Sequence, residues 1–268
     1  MRGFLRKMRI EDASPARYLF RLDEQQLDLS GVIGCQFQLR FTGHIACIHC
    51  SRNIKKTFNQ GYCFPCMRRL AQCDTCIVRP DLCHFAAGTC RDPEWAQTHC
   101  MQPHVVYLAI TSGIKVGITR MTQIPTRWLD QGATQALPIA QVTTRRDSGL
   151  LEHACRELVA DQTDWRAMLK GSKTDHDPQS VVATVVNHLK DKIPTLPLDG
   201  PVTWMNESWR MFEYPLPHPP PKLKTWDLHK NPILSSRLLG IKGQYWVFEQ
   251  GVMNIRKYQG YEVEIEYG

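Results

Sequence analysis

The cysteines crowd into one part of the chain, and this crowding constrains the fold more than any other feature of the sequence. Ten of the eleven cysteines lie between Cys35 and Cys100, and only Cys155 falls outside that segment. The chain has no run of about eighteen apolar residues and no N-terminal apolar core of signal-peptide length. We therefore expect a cytoplasmic protein without membrane contact, in which crowded thiols bind metal rather than form disulfides.

Four of these cysteines form two Cys-x2-Cys turns that are separated by twelve residues, namely Cys47, Cys50, Cys63 and Cys66. Each turn aims two thiolates at one point, and the second turn completes a tetrahedron around it. A zinc ion with four protein ligands has no open position, so such a site is structural. The spacing is typical of a zinc ribbon.

The next cysteines contain one regular turn, Cys73-x2-Cys76, followed by Cys83, Cys90 and Cys100. We expect a second structural Zn²⁺ ion, held by Cys73, Cys76, Cys90 and Cys100. Cys83 is left out of this set because it lies in a proline-led excursion, "VRPDLCHF", that can loop out without disturbing the other four. The alternative set replaces Cys100 with Cys83. Either set brings the expected content to two Zn²⁺ ions per chain.

The segment that follows reads "VVYLAITSGIKVGITR" and predicts two strands around a Ser-Gly turn. The next stretch predicts a short helix that starts near Pro125, buries Trp128 and Leu129, and ends at Gly132. A third strand, "LPIAQVTTRR", then precedes two amphipathic helices. The first, "SGLLEHACRELVADQ", has an apolar side formed by Leu151, Ala154, Leu158 and Val159. The second is "DPQSVVATVVNHLKDKI", with Val182, Val185, Val186 and Leu189 at helical spacing.

Alternating apolar residues near both ends of the chain predict strands, with turns in the tail at 242–243, 250–251 and 259–260. So few strands cannot bury themselves alone, so we expect the two ends to pair in a small β-barrel or sandwich. The predicted organisation is a split β domain (1–46 with 222–268), two zinc-binding knuckle regions (47–104), an α/β core (105–195) and a Pro-rich linker (196–221). The fold class is α+β.

The region from Tyr107 to Glu152 resembles the core of GIY-YIG nucleases. In that fold the first strand bears Tyr, the second bears a Tyr-Ile-Gly-like triplet, and two later helices bear Arg and Glu. The matching positions here are Tyr107, Lys115-Val116-Gly117, Arg127 and Glu152. Lys115 in the second position resembles a divergent branch of these nucleases. Most of the chain also resembles a bacterial family catalogued as a domain of unknown function, and this likeness supports the ligands chosen for the second zinc site.

The resemblance to GIY-YIG nucleases implies a three-stranded antiparallel sheet with helices and a catalytic set of Tyr107, Lys115, Arg127 and Glu152. Glu152 would hold one Mg²⁺ or Mn²⁺ ion that polarises the scissile phosphate. Arg127 would stabilise the developing charge, and Tyr107 would orient the attacking water. Lys115 stands where these nucleases carry a second tyrosine. A lysine binds phosphate well, but it is a poor base unless burial lowers its pKa.

Basic residues near these positions, together with a net charge of +7, fit a nucleic-acid partner, with DNA and RNA both open. We expect phosphate contacts from Lys115, Arg120, Arg145 and Arg146. A further aromatic and basic stretch contains Trp165, Arg166, Lys170 and Lys173. The sequence predicts a nucleic-acid-binding zinc protein with a GIY-YIG-like cleft, and endonuclease activity stays open. The alternative is a non-catalytic module that binds RNA, a ribonucleoprotein or a protein, with zinc purely structural.

Overall fold

The computed structural model of the protein describes residues 1–171 and 177–268, so Lys173 lies outside the described residues. The chain divides into two compact units. Unit 1 comprises Met1–Arg68, Leu129–Gly132 and Phe212–Gly268, and unit 2 comprises Arg69–Trp128 and Ala133–Met211. Within the described ranges, no helix combines the length and the apolar character that a membrane crossing requires.

The strands are, in chain order, β1 (Arg2–Glu11), β2 (Arg17–Leu22), β3 (Gln25–Asp28), β4 (Gln36–Ile45), β5 (His104–Ile110), β6 (Ile114–Arg120), β7 (Gln135–Val142), β8 (Thr203–Trp204), β9 (Arg210–Met211), β10 (Ile233–Lys242), β11 (Tyr245–Phe248), β12 (Gly251–Asn254) and β13 (Tyr261–Tyr267). The helices are α1 (Phe64–Arg69), α2 (Pro93–His99), α3 (Thr126–Asp130), α4 (Arg145–Cys155), α5 (Trp165–Lys170) and α6 (Pro178–Lys192). Together they form a mixed α+β protein with antiparallel sheets, as the sequence predicts at this level.

Unit 1 is built on one sheet, whose strand order over the described residues is β12-β11-β10-β4-β13-β1-β2-β3. Strand β4 pairs antiparallel with both β10 and β13, and β13 pairs with β1. The first and last segments of the chain therefore share one sheet, as their alternating patterns predict. Closure of these strands into a barrel or sandwich stays a prediction.

The core of unit 1 follows from alternation along its strands. In β10, Leu234 and Leu238 are buried while Ile233 and Arg237 are exposed, because successive side chains point to opposite faces. The Trp246 ring lies 4.7 Å from that of Phe20 and 5.0 Å from that of Phe37, measured between ring centroids. Such aromatic contacts add about 1 kcal/mol each to the stabilisation from apolar burial.

Unit 2 contains the second sheet, in the order β6-β5-β7-β8, with β9 also paired to β7. The predicted hairpin is confirmed, because β5 and β6 pair antiparallel along their whole length around Thr111–Gly113. Helices α4 and α6 pack on the face that carries Val106 and Val116, and they contribute Leu151 and Leu189 to the same apolar cluster. Strand β5 is buried at every residue.

Helix α4 differs from its predicted extent. It begins after Thr144, whose side chain accepts a hydrogen bond from the Asp147 N–H, and it ends at Cys155. The chain then turns to lie along β6, where the Val116 N–H donates to the Ala160 carbonyl at 2.8 Å. Leu158, predicted to lie on the apolar side of the helix, is exposed. Pairing with the free edge of β6 therefore outweighs the helical pattern of this segment.

Two further segments of unit 2 complete its sheet and its helices. The predicted linker 196–221 contains β8 and β9, and both pair with β7. The last predicted helix is confirmed as α6, where Asp177 caps the first turn by accepting from the Ser180 N–H at 3.0 Å. Val185 and Leu189 on this helix are buried, as their spacing predicts.

Candidate functional site

The first cysteine cluster lies in unit 1, directly after β4. The ligand atoms of its four cysteines all lie within 4.8 Å of one another. The Sγ atoms of Cys50 and Cys63 are 3.7 Å apart, close to the separation of about 3.8 Å between sulfurs that share a tetrahedral Zn²⁺ ion. Cys47, Cys63 and Cys66 are buried, whereas Cys50 is exposed.

Short backbone bridges bring the two Cys-x2-Cys turns together. Ala46 pairs with Asn53 beside the first turn, and Phe58 pairs with Tyr62 before the second. Helix α1 then begins at Phe64 and carries Cys66 on its first turn. Together with the Ile48 N–H, which donates to the Gly61 carbonyl at 2.9 Å, these bridges hold the two Cys-x2-Cys turns side by side.

Hydrogen bonds at this cluster favour the thiolate form that metals bind. Burial alone would raise the pKa of the Cys47 thiol. The N–H groups of Cys50, Cys63 and His49 outweigh that effect, so the pKa of Cys47 is lowered. The Cys63 N–H donates to the Cys47 Sγ at 3.2 Å. Four converging sulfurs with N–H donors match the donor set of structural zinc, and this cluster can hold one zinc ion.

The remaining cysteines of the predicted second site lie in unit 2. Cys76, Cys90 and Cys100 line one small cavity together with Cys83, which the predicted set left out. Cys73 is not among the described residues that line this cavity. The structure thus brings together three of the four predicted ligands and adds Cys83.

Tyr107 lies in the middle of β5 and is fully buried. It pairs with Gly117 on β6, and a Cβ atom at Gly117 would lie only 2.6 Å from the Tyr107 hydroxyl. The Tyr107 ring also packs edge-on against Trp128 of α3, with 5.8 Å between centroids. Gly117 therefore makes room for the tyrosine, and Trp128 covers the same face of the hairpin.

Lys115 lies two residues before Gly117 and therefore faces the same side of the sheet as Tyr107. Only 4% of its surface is exposed. Burial, together with the positive charge of Arg127, lowers its pKa to about 8, while the charges of Glu152 and Asp161 oppose the shift. At pH 7 about 90% of a group with this pKa is still protonated, so Lys115 is a buried cation.

Arg127, Arg145 and Glu152 share an electrostatic environment with Lys115. Burial raises the pKa of Glu152, and the positive charges of Arg156, Arg145 and Arg127 partly offset this effect. Burial also lowers the pKa of Arg145, with a further contribution from Arg127. Charge–charge interactions therefore link these four side chains. We refer to Lys115, Arg127, Arg145 and Glu152 as the Arg127 cluster.

Arg120 acts electrostatically on His104, as Arg145 of the cluster does, whereas Arg146 is engaged elsewhere. Arg120 pairs with His104 across the hairpin. Burial, together with the positive charges of Arg145 and Arg120, lowers the pKa of His104 to about 4, while a hydrogen bond with the Gln102 carbonyl opposes the shift. Arg146 donates to the Pro197 carbonyl at 2.8 Å and forms an ion pair with Asp199 at 3.1 Å. Its guanidinium is therefore held by the segment after α6.

The cluster combines three cations with one carboxylate, which suits it to binding an anion. Within 4.0 Å, none of these three cations forms an ion pair with a carboxylate of the described residues. Asp161, the other acidic neighbour, is already paired with Arg156 at 2.9 Å. The predicted helix did not indicate the Arg156–Asp161 ion pair, because residues five positions apart do not face each other on a helix.

Comparison with known proteins gives one match. A family model described as "Protein of unknown function (DUF2797)" matches residues 34–263. No curated protein and no solved structure matches the chain.

Proposed function

This chain belongs to the DUF2797 family of proteins of unknown function, and from its own residues we propose that it binds nucleic acid by contacting backbone phosphates at the Arg127 cluster. Zinc at the first cysteine cluster would be structural in this account. The single observation that supports the proposal most strongly is the buried Lys115 ammonium, which lies beside Arg127 without a carboxylate within ion-pair distance among the described residues.

The energetic cost of this arrangement supports a functional role for it. Burying a charge is unfavourable unless a partner compensates it, and a second cation nearby adds repulsion. Lys115 and Arg127 interact in this way, and Glu152 only partly offsets the effect. A bound phosphate would supply the missing negative charge. Groups that lower stability in the free protein often serve ligand binding, and this reasoning favours an anionic ligand.

Two observations point to an extended polyanion rather than to a small phosphate compound. Arg120, the last residue of β6, adds a further positive charge near the Arg127 cluster, since the charges of Arg120 and Arg145 both lower the pKa of His104. The chain as a whole carries a net charge of +7. Several neighbouring cations match a run of backbone phosphates, which is the contact that dominates affinity for nucleic acids.

The order of elements supports the GIY-YIG-like arrangement as part of this proposal. The hairpin β5–β6 is followed by α3, β7 and α4, and β5 lies between β6 and β7 in the sheet. Arg127 on α3 and Glu152 on α4 occupy the helices that the resemblance assigns to them. This arrangement would place the phosphate beside Lys115, on the hairpin face that carries Tyr107 and packs against Trp128.

Hydrolysis is not part of the function that we propose. A Mg²⁺ or Mn²⁺ site usually uses one or two carboxylates together with substrate phosphates. Asp161 is the acidic neighbour of Glu152 and is already paired with Arg156, while the positive charges of Arg156, Arg145 and Arg127 all act on Glu152. Their charge disfavours a divalent ion at Glu152 in the free protein. Binding without cleavage is therefore the activity that the charges of this cluster favour.

The proposal is tested by fluorescence anisotropy with labelled single-stranded DNA, duplex DNA and RNA of about twenty nucleotides each. Arg127→Ala and Lys115→Met should each weaken binding roughly tenfold, because each removes a charged contact to phosphate. Each should also reduce the slope of log affinity against log salt concentration by about 0.7 to 0.9. Lys190→Met is the matched control, since Lys190 is an exposed cation on α6 of the same unit.

Glu152→Gln distinguishes binding from cleavage. It removes the negative charge beside the phosphates and keeps the shape of the side chain, so affinity should be retained or increased. Incubation of the wild-type protein with each nucleic acid and Mn²⁺ should leave the strands intact. Failure of all three nucleic acids to bind, or wild-type affinity in both cation variants, would refute the proposed function. Cleavage that Glu152→Gln abolishes would show that the cluster is a nuclease site.

A further inference from the structure

A small cavity in unit 2 is surrounded by cysteines from four separate segments. Cys76 lies in the 3₁₀ helix Thr75–Ile77, and Cys83 directly follows the 3₁₀ helix Pro80–Leu82. Cys90 lies in the loop before α2, and Cys100 directly follows α2. All four line the same cavity, along with apolar residues such as Trp95. Four thiols around one space suggest a shared ligand.

The segment that forms the cavity has little regular structure of its own. Between Arg69 and Met101, the described chain forms only short 3₁₀ helices and the seven-residue helix α2. Such a segment buries little apolar surface and makes few repeating hydrogen bonds, so it needs a crosslink to hold one conformation. A metal ion supplies such a crosslink in small cysteine-rich segments, and its binding energy becomes folding energy.

We propose that this cavity binds a second Zn²⁺ ion through Cys76, Cys83, Cys90 and Cys100. Zinc prefers four thiolates in a closed structural site, and these four are the cysteines that line the cavity. Cys73 is excluded from the ligand set, although it forms a Cys-x2-Cys turn with Cys76, because it does not line this cavity. Successive ligands in this set are therefore seven, seven and ten positions apart in the sequence.

Asp74 and His84 also lie close to this site, and their contacts assign them a supporting role. The ligand atoms of Asp74, Cys76 and His84 lie within 4.8 Å of one another. However, the Asp74 carboxylate forms an ion pair with the Arg91 Nε atom at 2.7 Å, and it lies 3.4 Å from the His84 Nε2 atom. The His84 Nδ1 atom lies 2.8 Å from the Thr89 hydroxyl. Both side chains therefore tie the loop between Cys83 and Cys90 to the segment of Cys76.

Zinc binding requires the sulfurs to approach one another to about 3.8 Å, the edge of a tetrahedron with 2.3 Å bonds. In the structure the four sulfurs surround the cavity without all lying within 4.8 Å of one another. The loop between Cys83 and Cys90 contains no helix or strand among its described residues, so it can close onto the ion without breaking regular structure. We therefore expect the cavity to contract when zinc binds.

The second site would also position one residue of the Arg127 cluster, and this part of the inference rests on the proposed function. The Arg145 Nη2 atom donates to the carbonyl of Ile77, the residue after Cys76, at 2.6 Å. The Arg145 N–H donates to the Cys100 carbonyl at 2.8 Å. Gly149 on α4 also lies against Pro80, where a Cβ atom would come within 2.4 Å. Zinc would thus fix the segment that holds the Arg145 guanidinium.

Zinc content measures the second site independently of nucleic-acid binding. The protein purified in reducing buffer should contain two zinc ions per chain by elemental analysis. Cys83→Ser should lower this content to one, whereas Cys73→Ser, the matched control, should leave it at two. His84→Gln should also leave it at two. One zinc ion in the wild-type protein, or loss of zinc in Cys73→Ser or His84→Gln but not in Cys83→Ser, would overturn the proposal.

X-ray absorption at the zinc edge provides a test that needs no variant, in case Cys83→Ser fails to fold. Two sites of four thiolates should give an average of four sulfur neighbours at about 2.3 Å and no nitrogen or oxygen neighbour. A nitrogen or oxygen contribution of about half a ligand per zinc would overturn the all-cysteine set. If zinc content falls in Cys83→Ser and nucleic-acid affinity does not, the metal site stands and its link to Arg145 is refuted.

Discussion

Replacement of Lys115 by methionine should make the protein more stable at neutral pH. Lys115 is 4% exposed, and burial together with Arg127 lowers its pKa from the ordinary value of 10.5 to about 8. Each pKa unit corresponds to about 1.4 kcal/mol, so the protonated form costs the folded state up to about 3 kcal/mol. Methionine fills nearly the same space without the charge, so the variant avoids this cost.

The effect should depend on pH in one direction. Below pH 8 the lysine is charged in both the folded and the unfolded states, so the full cost is present. Between pH 8 and 10.5 the unfolded state binds more protons at this group than the folded state, so wild-type stability rises with pH. The advantage of Lys115→Met should therefore be largest at pH 7 and small near pH 10.5.

The assay is urea unfolding followed by circular dichroism at pH 7 and pH 10, with the wild-type protein and the variant compared at each pH. Lys190→Met serves as the control, because Lys190 is exposed on α6 and loses only a cation–π contact with Trp204, so stability should change by less than about 1 kcal/mol. The reasoning is refuted if Lys115→Met is less stable than the wild-type protein at pH 7. A gain of equal size at both pH values would also refute it, because charge burial would then not be the cause.

Three further outcomes follow from the same structure. Nucleic-acid affinity should be constant below about pH 8 and fall by up to tenfold per pH unit above it, because Lys115 loses its charge. Lys115→Met should remove this pH dependence, and an identical pH profile in the variant would contradict this role of Lys115. Gly117→Ala should destabilise the protein by about 1–3 kcal/mol in thermal unfolding, since the new Cβ would lie 2.6 Å from the buried Tyr107 hydroxyl. Gly113→Ala is the control and should be neutral, because no atom lies within 4 Å of its new Cβ. Cys47→Ser should remove one zinc ion and lower the melting temperature, whereas Cys35→Ser outside the cluster should keep the zinc content of the wild-type protein, as measured by elemental analysis.

Local patterns in the sequence predict much of the fold. Helix α6 follows its apolar spacing and its Asp177 cap, and the β5–β6 hairpin follows the alternation around its Ser-Gly turn. The first cysteine cluster is predicted equally well, because both Cys-x2-Cys turns and their separation lie within twenty residues of the chain. In each case the interactions that form the element come from residues near one another in the sequence.

Features that depend on distant contacts could not be predicted in this way. Helix α4 ends at Cys155 because the following segment pairs with β6, a contact that no local pattern indicates. The burial of Lys115 likewise depends on the elements that cover β6. For the second cysteine group, the regular Cys73-x2-Cys76 turn favoured Cys73, whereas the cavity is lined by Cys83.

The central claim is that the Lys115 ammonium contacts a nucleic-acid phosphate. NMR of the protein with ¹³C-labelled lysine, compared with Lys115→Met for assignment, measures the pKa of Lys115 with and without a short oligonucleotide. In the free protein the resonance should titrate at about 8. In the complex the phosphate should stabilise the charged form and raise this pKa by one unit or more, to about 9 or above. An unchanged pKa under saturating oligonucleotide would contradict the account.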